Sequence, residues 1–297
     1  MTAAGFGQGA EFDHAASRAL PAPRQDDRRG HVRLASVGAR QEPLIEVNAV
    51  SKTYAAADGK PITAISSVSC SIQPGEFVSI LGPSGCGKST LLMMLAGLLR
   101  PTEGTIRFRG TPVTAPHQDF GIVFQDAVLF PWRSVQANVE LPAEIAGIPA
   151  RQRSARAAEM LALVGLEGFG TKYPHELSGG MQQRVAIARA LSLNPSLLLM
   201  DEPFGALDAM TREQMNVELQ RIGLASGATV VFVTHSIPEA AFLGNRVMVM
   251  SGRPSTVRDI VEIPLPRDRP IGLMATDRFG IFVSKLRQLL DVSGDVS

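Results

Sequence analysis

Gly82-Pro83-Ser84-Gly85-Cys86-Gly87-Lys88-Ser89-Thr90 follows the apolar run Glu76–Leu81 and opens a second apolar stretch, Lys88–Leu98. The nonapeptide fits G-x-x-x-x-G-K-[ST] at every required position, and strand before and helix after is the context that gives this pattern its meaning. A polyphosphate needs many donors and a positive field. Glycines let the chain wrap so that successive N–H groups point inward, and the helix N-terminus adds its dipole. Lys88 brings a point charge to the β- and γ-phosphates. Ser89 offers a hydroxyl to Mg²⁺, a hard cation that prefers oxygen. A glycine-rich turn that merely joins strand to helix is the alternative; pattern and context together favour the phosphate cradle.

Working outward, Leu44–Tyr54 and Ile62–Ile72 read as strands separated by a turn carrying Asp58 and Gly59, a hairpin pattern. Thr105–Arg109 and Phe120–Gln125 read as short strands, and the pattern from about Val135 to Pro174 is helical. Strands at Leu197–Met200, Thr229–Thr234 and Arg246–Met250 then alternate with helices at Ala209–Ala225 and Pro238–Leu243, which predicts βαβ units and a mostly parallel sheet. Thr276–Leu290 reads as an amphipathic helix. Leu197-Leu198-Leu199-Met200 ends in Asp201-Glu202. Two carboxylates at the end of a buried strand must be paired or coordinated. Beside a phosphate cradle, Asp201 orients the metal and Glu202 polarises an attacking water. A strand end that simply meets solvent is the competing reading.

At Leu177-Ser178-Gly179-Gly180-Met181-Gln182-Gln183-Arg184 the chain resembles the ABC ATPase family, whose signature often has Gln where Met181 stands. The resemblance implies that Ser178, Gly179 and Gly180 reach the γ-phosphate held by a second protomer, so that a homodimer sandwiches two ATP molecules with Mg²⁺. It also implies that Gln125 contacts Mg²⁺ and senses a membrane subunit, that Gly205–Asp208 is the loop crossing the dimer interface, that His235 is the switch histidine, and that Tyr54 stacks on adenine. Each has a plainer reading: a polar strand end for Gln125, an N-cap for Asp208, a structural residue for His235 and Tyr54. The implied fold is α/β, a P-loop NTPase with a RecA-like core, an antiparallel β subdomain and an α-helical subdomain at about 128–191. The implied divisions are a tail at 1–42, the ATPase domain at 43–275, and a C-terminal helix and tail at 276–297. The cradle then binds ATP through Gly82, Pro83, Ser84, Gly85, Cys86, Gly87, Lys88, Ser89 and Thr90. Glu202, His235 and Lys88 carry hydrolysis, and Ser89, Gln125 and Asp201 hold the metal.

Gln125-Asp126-Ala127-Val128-Leu129-Phe130-Pro131-Trp132, Thr234–Leu243 and Ser251-Gly252-Arg253-Pro254 are similar to the branch that imports nitrate, taurine and alkanesulfonates, although that branch usually has Asp where Ser236 stands. The resemblance implies two transmembrane permease subunits, an extracytoplasmic solute-binding protein and a peripheral place on the cytoplasmic face of the cell membrane. Trp132 is expected to face the permease, with a core or rim aromatic as the alternative. Importers of pyrimidine precursors or bicarbonate, and a non-transport ABC ATPase, are the rival functions; solute choice rests on no residue of this chain.

Composition bounds the rest. The chain has 297 residues, 45% apolar and 19% charged, and a formal net charge of +1. Nucleic-acid binders show a clear basic excess, so nucleic acid is not expected as a partner. No stretch approaches the roughly 18 consecutive apolar residues of a membrane span. Cys70 and Cys86 form no metal-ligand spacing. Residues 1–42, with Arg24, Arg28, Arg29 and Arg33, read as a solvated tail, with a lipid-touching segment as the alternative.

Overall fold

Alternate residues of the central strands feed two different cores, and that division organises the molecule. A computed structural model describes residues 42–55 and 60–291. The tail read at the N-terminus (apart from Glu42), the Asp58–Gly59 turn and residues 292–297 lie outside them. In chain order the elements are β1 (Ile45–Tyr54), β2 (Ile62–Ile72), β3 (Phe77–Leu81), α1 (Lys88–Leu95), β4 (Glu103–Phe108), β5 (Thr111–Pro112), β6 (Phe120–Val123), α2 (Val135–Ile145), α3 (Ala150–Leu163), α4 (Gly179–Leu191), β7 (Leu197–Asp201), α5 (Ala209–Ser226), β8 (Thr229–Thr234), α6 (Ile237–Leu243), β9 (Arg246–Met250), β10 (Ser255–Glu262) and α7 (Asp277–Asp291).

The strands form one sheet in the order β5-β4-β1-β2-β10-β9-β3-β8-β7-β6. β9, β3, β8, β7 and β6 run parallel. β1, β2, β4 and β5 pair antiparallel. The sheet is therefore mixed: the strands of the βαβ alternation are parallel as expected, and the antiparallel β part is joined to them. The strand that joins its halves, β10, has no counterpart in the sequence reading. It runs antiparallel to β9 and meets β2 in a short parallel pairing. Its Arg258 and Asp259 break the apolar run that marks the other central strands. Boundaries also move: α1 ends at Leu95, not Leu98, β4 runs Glu103–Phe108, not Thr105–Arg109, and β6 ends at Val123, not Gln125; the helical stretch after Val135 is two helices, α2 and α3, parted by a turn at Gly147 and Pro149.

Successive side chains of a strand face opposite ways. On β3, Phe77 and Leu81 join the core with α4, α5, α6 and α7, while Val78 and Ile80 join the core with α1 and the antiparallel strands. β7 and β8 divide likewise: Leu198, Met200, Val230 and Phe232 on one side, Leu197, Leu199, Val231 and Val233 on the other. Strands covered on both faces read as near-continuous apolar runs, as these do apart from the buried Ser79 of β3, the closing Asp201 of β7 and the terminal threonines of β8.

The register decides where function can sit. Leu81 pairs with Thr234, Asp201 with Val233, and Val123 with Met200. β3, β8, β7 and β6 thus end level, and whatever follows each is delivered to one rim, the crevice where open α/β sheets bind ligands.

Candidate nucleotide site at the sheet rim

Four loops meet at that rim. The first, Gly82–Gly87, leaves β3 and enters α1. Gly87 precedes α1 at φ 108, a conformation that side chains resist, and a Cβ there would lie 3.2 Å from Ile65 Cγ1 and 3.3 Å from Ala64 O. Cys86 is buried, its sulfur turned in behind Gly82, and burial is the largest influence raising its thiol pKa. Lys88 is only 4% exposed. Its Nζ donates to the carbonyls of Gly82 at 3.0 Å and Pro83 at 3.1 Å, and lies 3.3 Å from Glu202 Oε1.

The second loop follows β7. Ser89 Oγ donates to Asp201 Oδ1 at 2.9 Å. Burial is the main influence raising the Asp201 pKa; the Ser89 bond opposes it. Glu202 holds a left-handed backbone, φ 42, rare outside glycine and found where surrounding structure enforces it. Here the enforcement is visible: its N–H donates to Val233 O at 3.0 Å, and its carbonyl accepts from Gly205 N–H at 3.0 Å. The third loop follows β8 and carries His235, whose Nδ1 lies 3.0 Å from Glu202 Oε2. Glu202 therefore stands between a lysine and a histidine, one on each oxygen.

The fourth loop follows β6. Gln125 lines the same open cavity, of about 530 Å³, together with Tyr54, Ile62, Ala64, Ser84, Gly85, Gly87, Lys88, Ser89, Thr90, Glu202 and Arg253. Tyr54 is 40% exposed, with its hydroxyl 3.5 Å from Thr90 Oγ1. Ser178 lies apart from this lining. It caps α4, accepting from Met181 N–H at 3.3 Å, with Gly179 and Gly180 in the first turn. Asp208 caps α5, accepting from Thr211 N–H at 3.0 Å and from Thr211 Oγ1 at 2.6 Å.

Loop residues 124–134 are pinned from the helical side. Gln183 on α4 donates to Phe124 O at 3.0 Å, and Arg189 donates to Val128 O at 2.8 Å and Ala127 O at 2.9 Å. Asn138 on α2, fully buried, accepts from Phe130 N–H at 2.8 Å and donates to the carbonyls of Phe130, Arg133 and Ser134. Trp132 projects from this braced loop, 72% exposed, its ring 5.1 Å from that of Phe130.

A profile of the ABC transporter family matches residues 65–205. A 214-residue stretch is 48% identical to an ABC transporter ATP-binding protein, MJ0412, of Methanocaldococcus jannaschii, covering 71% of this chain and 80% of that one. This chain belongs to the ABC transporter family. Over 214 residues it is 51% identical to the taurine import ATP-binding protein TauB of Rhizobium johnstonii, 72% of this chain and 82% of the relative. Over 224 residues it is 45% identical to the nitrate import ATP-binding protein NrtD of Synechocystis sp., at 75% and 84% coverage. The dimeric ATP-binding cassette MJ0796 with ADP and Pi superimposes at a TM-score of 0.65, with 37% identity, over 75% of this chain and all of that one. The fold is that of the family's P-loop ATPases.

Arg253 had no role in the sequence reading. It follows β9 by three residues, and its guanidinium Nε donates to Gly85 O across the cradle at 2.5 Å. The Ser251–Pro254 stretch marked it only as a likeness to one branch, and it is the return of the β9–β10 connection over the loop that places it at the cradle. Arg253→Ala is expected to raise the KM for ATP about three- to tenfold, the effect of losing roughly 1 kcal/mol of charge-assisted bonding in a solvated site. An ATP titration that leaves KM unmoved removes Arg253 from the nucleotide site.

Proposed function

We propose that this chain is the ATP-binding and ATP-hydrolysing subunit of an importer for a small anion of the taurine, alkanesulfonate or nitrate class. The observation that carries the reading is the placement of Glu202 between Lys88 and His235 at the rim of the phosphate cradle. The importer part rests on the relatives, whose names are taurine and nitrate import ATP-binding proteins.

In this reading the cradle amides and Lys88 hold the β- and γ-phosphates of ATP, and Tyr54 stacks on the adenine. The donor set fits a magnesium ion: the Ser89 hydroxyl, the Asp201 carboxylate and the Gln125 amide are hard oxygens beside the cradle. Mg²⁺ held by them would neutralise charge on the transferring phosphoryl group. Glu202 takes a proton from a water as its oxygen attacks the γ-phosphorus; the bond to the β,γ-bridging oxygen breaks, giving ADP and phosphate. His235 holds the Glu202 carboxylate in position from the far side. Ser178–Gly180, at a helix N-terminus away from this cavity, serve a nucleotide held by a second copy. Two copies close on two ATP molecules, and closure drives a pair of membrane-spanning permease subunits through the exposed Trp132 at the cytoplasmic face. An extracytoplasmic binding protein supplies the solute. Among the described residues no helix is long and apolar enough to cross a membrane, which leaves the path to the permease in this reading.

The test is uptake of labelled taurine and of an alkanesulfonate by a deletion strain under sulfur starvation, complemented with wild type or with Lys88→Ala. Uptake lost on deletion and restored by wild type alone supports the reading. Uptake indifferent to deletion rejects these sulfur solutes and directs the same assay to nitrate.

A further inference from the structure

Behind the nucleotide cavity a second polar cluster joins two of its loops. Glu239 on α6 is 7% exposed. Its Oε2 accepts from Thr234 Oγ1 at 2.6 Å, and its Oε1 lies 3.6 Å from Nε of Arg212 on α5. Thr234 is the residue before His235, and its Oγ1 also accepts from the N–H of Ser236, the residue after it, at 3.0 Å. Both chain neighbours of the histidine are thus tied to one hydroxyl, and that hydroxyl to Glu239. On its other side Arg212 donates Nε to Phe204 O at 3.3 Å and Nη2 to Leu207 O at 2.8 Å. Those carbonyls belong to the turn that runs from Glu202 to Asp208.

A buried carboxylate is costly without partners. Burial is the largest influence raising the Glu239 pKa, with Thr234, Arg212 and the more distant His235 working against it and Glu202 adding to it. A residue needed only to start α6 could face water. Glu239 instead turns inward to meet the strand end and the arginine that spans the neighbouring turn.

We propose that Arg212 and Glu239 are positioning residues that clamp the Glu202–Asp208 turn to the strand end carrying His235, so that base, histidine and interface loop keep one fixed relation. The inference rests on the roles given above to Glu202 and His235. Neither clamp residue lines the nucleotide cavity, so the clamp acts on turnover and not on binding.

Steady-state ATP hydrolysis by the full-length chain tests it, with Arg212→Lys, Glu239→Gln and the double variant, each checked for an unchanged melting temperature. Glu239→Gln keeps an acceptor for Thr234 and removes the charge facing Arg212. Arg212→Lys keeps a charge and loses the two-carbonyl fork. Each is expected to lower kcat about tenfold with the KM for ATP held within about twofold, the pattern of an interaction expressed in the transition state. The double variant is expected to match the singles, because partners in one contact are non-additive. Losses that multiply in the double variant, a rise in KM at constant kcat, or an unchanged kcat would each overturn the clamp. If wild type itself released no phosphate from ATP, the reading of Glu202 would fall, and the clamp with it.

Discussion

Glu202→Gln is expected to bind ATP, to form a nucleotide-dependent dimer and to hydrolyse about 10²- to 10³-fold more slowly than wild type, within the range contributed by a positioned general base. Glutamine nearly preserves the shape of the side chain. Its amide oxygen can still accept from Lys88, now 3.3 Å from Oε1, but the group cannot take a proton from water. The unusual backbone at φ 42 is inherited unchanged, since Gly205 and Val233 hold it through main-chain bonds. The variant should therefore fold as wild type does and fail only at chemistry. Phosphate release measured beside the ATP-dependent change in hydrodynamic size separates the two steps. Turnover at the wild-type rate would place the base elsewhere.

Lys88→Ala is expected to fail earlier, at binding. The ammonium is nearly sealed from solvent and already organised by two cradle carbonyls and Glu202, so little conformational freedom is lost when it meets a phosphate. A hydrogen bond to a charged group contributes roughly 1.5–3 kcal/mol, and two phosphates share this one. An affinity loss of about 100-fold, roughly 3 kcal/mol, follows. Calorimetric titration with ATP checks it; an affinity close to wild type would mean that the phosphates lie outside the cradle.

How much of this was legible in the chain itself depends on distance along it. β3, the cradle and α1 form one contiguous unit whose apolar run, glycines and Lys88 are all local signals, and they stand where the pattern predicted, save that α1 stops at Leu95. The β1–β2 hairpin and the strands β7, β8 and β9 were legible for the same reason. The Ser89–Asp201 bond joins residues 112 apart; the acids at a strand end suggested only that Asp201 works beside the cradle, and the bond itself follows from the pairing of β3 with β8 and of β8 with β7. β10 escaped because charged residues interrupt it. Arg212 and Glu239 escaped because charges spaced along a helix look like a solvated face, and only tertiary structure turns them inward. Arg253 escaped because its partner, Gly85, lies 168 residues away.

The bracing of residues 124–134 has a mechanical consequence. Three side chains, Asn138, Gln183 and Arg189, grip the backbone of that loop and belong to α2 and α4, and α4 is capped by Ser178. In the proposed importer, a load placed on Trp132 would pass through these bonds to α4, the helix whose first turn serves the second nucleotide in that reading. In a compliant linkage, fuel could burn while the cargo path stood still. In the proposed importer, slippage would be left to the joint outside the chain, the seat of the exposed Trp132 ring on the permease.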